Sequence, residues 1–160
     1  MNRRYTTEDF EEVVKRIRNT YSDSILTTDI IVGFPGETDE EFKKTYDFLE
    51  KIKFYKMHIF KYSVRKGTKA EKMPNQVLPN VKEERSRKLI ELSDKNEAEY
   101  LKKYVGKTIE VLFEEYDGEY WKGHTANYLV VKTKSKENLH NKIVSVKICE
   151  LDNLELIGNF

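Results

Sequence analysis

The sequence predicts an α/β segment followed by a small all-β unit. Three observations predict it. Apolar residues recur at helical spacing on either side of a β-branched run in the first hundred residues; near Gly106 the apolar period switches to two; and 8 Phe, 10 Tyr and 1 Trp within a 38% apolar chain of 160 residues supply material for a core. No stretch approaches the roughly 20 apolar residues that a membrane span requires. The opening residues lack the apolar run of a secretory leader, so a cytoplasmic location is expected. The single cysteine excludes an intrachain disulfide framework, and any iron–sulfur or zinc centre built from this chain's own thiolates.

Thr7 to Tyr21 reads as the first helix, because Phe10, Val13, Val14 and Ile17 fall on one face of a 3.6-residue period. Thr6 or Thr7 is placed to cap it, and Glu8 and Asp9 suit the positive end of its dipole. Ile25 to Val32 is β-branched and wholly apolar after Asp29, which fits a strand covered on both faces of a parallel sheet. Gly33-Phe34-Pro35-Gly36-Glu37 ends it, and Thr38 with Glu41 forms a capping box for a second helix whose face carries Phe42, Tyr46, Leu49 and Ile52. Lys56 to Tyr62 is the next strand, completing a βαβ unit. Residues 63–80, with Gly67, Pro74 and Pro79, read as a long loop, and Val81 to about Lys103 as a charged helix solvated on one side.

From Ile109 the apolar residues Ile109, Val111 and Phe113 occupy alternate positions. Asp117-Gly118 signals a hairpin turn. Tyr128 to Val131 and Ile143 to Ile148 supply further short strands, and Lys132 to Asn141 reads as a mobile polar loop. The expected domains are residues 1–103 and 104–160, the second a small antiparallel β-barrel or sandwich.

Three segments stand out chemically. Thr27 to Thr38 places a Gly-rich turn between a strand and a helix N-terminus, where a ligand can approach the backbone closely; the plain alternative is an ordinary βα turn. Phe60 to Ala70 leaves the carboxyl end of the next strand, and its Arg65 and Lys66 suit phosphate or carboxylate unless the loop is merely solvated. Gly123 to Tyr128 carries polar and aromatic residues suited to an unpaired base, the alternative being a turn with Tyr128 in the core. The overall charge of +1 hides a strongly basic middle: eight positive groups lie between Lys51 and Lys72 against Glu71 alone, with Tyr55, Phe60 and Tyr62 among them. Such a stretch fits a polyanion such as RNA, or a solvated rim around a strand. His58, His140 and Cys149 read as packed, loop and incidental residues.

In this order, "TTDIIVGFPGET", "YSVRKGT" and "GHTANY" resemble the C-terminal half of the radical S-adenosylmethionine methylthiotransferases. The resemblance implies a partial (β/α) barrel of the radical SAM type over residues 1–103, then a TRAM domain, an OB-like RNA-binding barrel, over 104–160. "MNRRYT" and "HIFKYS" look most like the branch that acts on N6-threonylcarbamoyladenosine beside the anticodon. The isopentenyladenosine branch and a non-catalytic RNA-binding module are the alternatives.

The activity so implied is addition of a methylthio group at C2 of the modified adenine, using S-adenosylmethionine and [4Fe–4S] clusters. By resemblance, Arg3 would grip the methionyl carboxylate. Val32, Gly33 and Phe34 would line the adenine side, and Tyr62, Ser63 and Arg65 would face S-adenosylmethionine or the target nucleotide. Lys122, His124, Asn127 and Tyr128 would contact tRNA. The implied partners are the tRNA anticodon arm and a missing N-terminal portion of the same polypeptide, with neither membrane nor DNA. The family's CxxxCxxC motif and three further cysteines are absent, and the methionine matching Met1 is internal in the family. A fragment that is inactive alone is therefore expected, with no catalytic or metal-binding residue of its own. Lys61, Val64, Lys66 and Lys69 stand where relatives often place prolines, which alters the stiffness expected of that loop.

Overall fold

The computed structural model describes residues 4–160. The chain divides into two compact units, Met1–Asn96 and Glu97–Phe160. That division falls inside the third helix, a few residues before the change of apolar period.

In the first unit, α1 (Thr7–Thr20) and α2 (Asp39–Ile52) each begin with a reciprocal capping box, Thr6 with Asp9 and Thr38 with Glu41. Between and after them run β1 (Thr27–Val32) and β2 (Lys56–Lys61), paired in parallel from Thr27↔Lys56 to Val32↔Lys61. Val32 and Met57 join Val14, Phe42, Leu49, Ile52 and Phe54 in a core that also takes Leu89 and Leu92 of α3 (Pro79–Leu101), with Ile30 and Ile59 packed against it. The alternate residues Asp29, Ile31, His58 and Phe60 are exposed. The expected burial of both faces of β1 is therefore met on one face only. Helices cover one side of this two-stranded sheet, and the apolar run continues onto the side they leave open.

Residues 63–78 are a structured loop. Thr68 caps a 3-10 turn at Lys69–Lys72, the Gln76 amide bonds the Ala70 and Met73 carbonyls, and the Gly36 N–H donates to the Asn75 carbonyl at 2.9 Å.

The second unit is a closed barrel of β3 (Thr108–Tyr116), β4 (Trp121–His124), β5 (Val130–Thr133), β6 (Lys142–Asp152) and β7 (Glu155–Asn159), ordered β3-β4-β5-β7-β6. Five strands cannot alternate direction all the way round a closed ring. One neighbouring pair, β5 with β7, is accordingly parallel, and the other four pairs are antiparallel. Val111, Phe113, Leu129, Val131, Leu139, Val146, Ile148 and Leu156 are fully buried in it. The 132–141 segment is not the loop expected. Lys132 and Thr133 complete β5, the buried Thr133 hydroxyl donates to the Gly158 carbonyl at 2.8 Å, and buried Leu139 anchors the remainder. Among the described residues no helix is long and apolar enough to cross a membrane.

Candidate ligand pocket and RNA-facing turn

Because β1 and β2 are parallel and in register, the loops that follow them leave the same end of the sheet. The Tyr62 N–H donates to the Val32 carbonyl at 2.9 Å, which joins the two loops directly. Phe34 and Tyr62 meet edge to face with ring centroids 5.3 Å apart. Beside them opens a pocket of about 430 Å³ lined by Phe34, Tyr62, Ser63 and Arg65 together with Ile31, Phe60, Thr68 and Ala70. Aromatic faces with a guanidinium and two hydroxyls at the rim suit a planar, polar-edged ligand carrying negative charge.

Four of the sequence-predicted residues thus come together. Val32 and Gly33 do not line this pocket. Val32 is in the core, and Gly33, at φ +71°, is held beneath the turn by its N–H bond to Glu37 Oε2 at 3.1 Å. Arg3 lies outside the described residues.

Three residues that hold the pocket were not legible as such. Arg85 of α3, whose side chain is 6% exposed, bonds Glu37 Oε1 at 2.6 Å and Asp39 Oδ1 at 2.7 Å and packs over the Phe42 ring. Glu37 therefore bridges Arg85 to the Gly33 peptide. Lys82, one turn earlier, donates from Nζ to the Tyr62 carbonyl at 2.9 Å, and its stem fills the space that a Cβ on Gly33 would enter. Within a helix this rich in charge, nothing local distinguishes Lys82 and Arg85 from their solvated neighbours.

In the second unit, Asp117 accepts from the Tyr120 and Glu119 N–H groups and pairs with Lys122 at 3.1 Å. The two peptide bonds first, then the lysine, hold its carboxyl far below the usual range. His124 Nδ1 meets Glu114 Oε2 at 2.5 Å. Asn127 turns inward, accepting from the Thr125 hydroxyl and donating to the Tyr104 hydroxyl. Tyr128 is not a core residue. It is 82% exposed at φ +62°, and Leu129 takes the buried place. A turn that must close back onto Tyr104 sends the side chain after Asn127 outward.

Two parallel strands packed with helices, followed by a closed five-stranded barrel, match a partial radical SAM (β/α) domain followed by a TRAM-like barrel. The comparisons agree. The Radical SAM superfamily profile matches residues 1–49. The threonylcarbamoyladenosine tRNA methylthiotransferase MtaB of Bacillus subtilis is 42% identical over 153 residues, which is 92% of this chain and 34% of that protein. The tRNA-2-methylthio-N(6)-dimethylallyladenosine synthases of Caldicellulosiruptor saccharolyticus and Acetivibrio thermocellus are each 41% identical, over 99% of this chain and 34% of their own length. Over nearly its whole length the chain is similar to radical SAM methylthiotransferases, and it spans about a third of the length of the curated relatives it matches.

Proposed function

We propose that this chain forms one wall of the S-adenosylmethionine site and the RNA-binding barrel of an enzyme that methylthiolates C2 of N6-threonylcarbamoyladenosine beside the anticodon of a tRNA. The observation that carries this reading is the shared end of β1 and β2, where Phe34, Tyr62, Ser63 and Arg65 surround one pocket. The fit to S-adenosylmethionine is chemical: aromatic faces for adenine and a guanidinium for a carboxylate. When bound, that cofactor supplies the radical-generating and methyl-donating chemistry. In this chain Phe34 and Tyr62 hold the flat part of a ligand, Arg65 faces its anionic part, and Arg3 is proposed as a second carboxylate grip. Val32 and Gly33 support the adenine side from beneath.

The residues here do not fit an iron–sulfur cluster. Cys149 is the one cysteine of the sequence, and no group of three metal-ligating side chains occurs among the described residues. In the barrel, Lys122 and His124 of β4 and Tyr128 are proposed to meet tRNA, with Asn127 fixing the turn that carries Tyr128. A cytoplasmic setting, and a domain boundary near residues 103–104, complete the proposal.

The segments "MNRRYT" and "HIFKYS" support the threonylcarbamoyladenosine branch over the dimethylallyladenosine one. The test is mass spectrometry of nucleosides from tRNAs bearing one or other modification after incubation with the complete reconstituted enzyme. Methylthiolation of the threonylcarbamoyl substrate is expected. Conversion of the dimethylallyl substrate alone would overturn the assignment.

A further inference from the structure

The fold sorts the eight positive groups between Lys51 and Lys72 into distinct roles. Lys51 pairs with Glu11 at 2.7 Å and Lys61 with Glu83 at 2.5 Å, and Lys53 and Lys56 are also partnered. Arg65 lines the pocket of the first unit. Lys66, Lys69 and Lys72 are left. All three are exposed, and among the described residues no carboxylate pairs with any of them. The one acid of the stretch, Glu71, turns its carboxylate onto the Gly67 N–H at 2.7 Å.

These lysines sit on a loop whose backbone is fixed. The Thr68 hydroxyl donates to the Arg65 carbonyl at 2.8 Å, the Gln76 amide to the Ala70 and Met73 carbonyls, and the Gly36 N–H to the Asn75 carbonyl. Lys69 and Lys72 are three residues apart in a 3-10 turn and so fall on one side of it. Along the loop the lysines alternate with Arg65, Thr68 and Ala70, which line the pocket. Each lysine is within two residues of a pocket-lining one, a Cα separation of at most about 8 Å. Positive charge without a partner is thus held in place at the rim of the pocket.

We infer that Lys66, Lys69 and Lys72 take the RNA phosphates that flank the nucleotide presented to this pocket, so that the first unit holds the RNA backbone in its own right. Ammonium groups contact phosphate as point charges and read no sequence, so the contact sets the register of the strand over the pocket without selecting bases. Lys66 and Lys69 stand where relatives often place prolines, which makes the contact a feature of this chain. The inference rests on the reading of tRNA as the substrate and adds a second RNA-holding surface, outside the barrel.

The test is fluorescence anisotropy of the full chain with a labelled anticodon stem–loop RNA over a salt series, with a thermal melt of each variant. Replacing Lys66, Lys69 and Lys72 together by alanine is expected to flatten the slope of log K against log salt by about 2 and to leave the melting temperature unchanged, since the three side chains support nothing in the fold. The triple replacement by arginine is expected to keep the slope, because the contact depends on charge. Lys51→Ala, which removes a lysine already paired with Glu11, is expected to leave the slope as it is. A wild-type slope in the triple alanine variant, or a loss with Lys51→Ala as large as one third of the triple effect, would overturn the rim contact while leaving RNA binding by the barrel intact. A wild-type chain that does not bind the stem–loop would remove the RNA reading itself, and this contact with it.

Discussion

Arg85 shows how much of the pocket is held from behind. Its guanidinium lies among carboxylates and over a phenyl ring, and through Glu37 it fixes the peptide of Gly33, from which the Phe34 wall departs. Arg85→Ala leaves a half-buried carboxylate with no cation, and a loss of about 3 kcal/mol is expected in urea unfolding. Gly123 is constrained more tightly. A Cβ there would meet the Leu112 carbonyl oxygen at 2.2 Å, so Gly123→Ala should destabilise the barrel by about 1–3 kcal/mol, read from Trp121 fluorescence during denaturation. Asp117 gives a pH signature. Its carboxyl is held low by the Tyr120 and Glu119 N–H groups and by Lys122, so the folded state favours the ionised form. That stabilisation is complete above the ordinary aspartate value of about 4 and is lost as pH falls through the depressed folded value. The difference in melting temperature between wild type and Asp117→Ala should therefore be full at neutral pH and shrink under acid. Asp117 was legible because an Asx turn is a matter of near neighbours. Lys82 and Arg85 were not, because their partners lie 20 and 46–48 residues away.

Helices were readable as elements, and some strands were not. α1 and α2 begin where their capping boxes place them, since Thr6 with Asp9 and Thr38 with Glu41 are contacts three residues apart. Thr38→Ala should cost about 1 kcal/mol, measured by loss of helical circular dichroism on heating. β3 was announced by Ile109, Val111 and Phe113 in alternation. β4, by contrast, is Trp-Lys-Gly-His, and β7 contains a glycine where the backbones of β6 and β7 come close. Neither carries an alternating apolar pattern of its own. β4 exists because the Asp117 turn delivers it alongside β3, and β7 because β5 and β6 offer it two edges. The 132–141 segment misled for a similar reason: Thr133 is polar, yet it is wholly buried once its hydroxyl finds the Gly158 carbonyl.

Across the molecule, the two units treat their strand edges in opposite ways. The barrel closes on itself and has none to spare, whereas β1 and β2 each present an unpaired edge among the described residues, and Ile31 and Phe60 lie on an uncovered face. Such edges and faces recruit other strands. Concentration-dependent association is expected in sedimentation velocity, and the double variant Ile31→Lys, Phe60→Lys should suppress it while leaving the barrel's melt unchanged. The sequence by itself determined the α/β-then-β order, the helix caps, the parallel pair and the motifs that mark the family, because each is written in residues close along the chain or in an unbroken pattern. Only the tertiary structure decided which predicted residues share a pocket, that Val32 serves the core, that Asn127 faces inward and Tyr128 outward, and that α3 braces both loops. Those outcomes depend on distant groups competing for the same buried space and the same hydrogen bonds, and no local pattern records who wins.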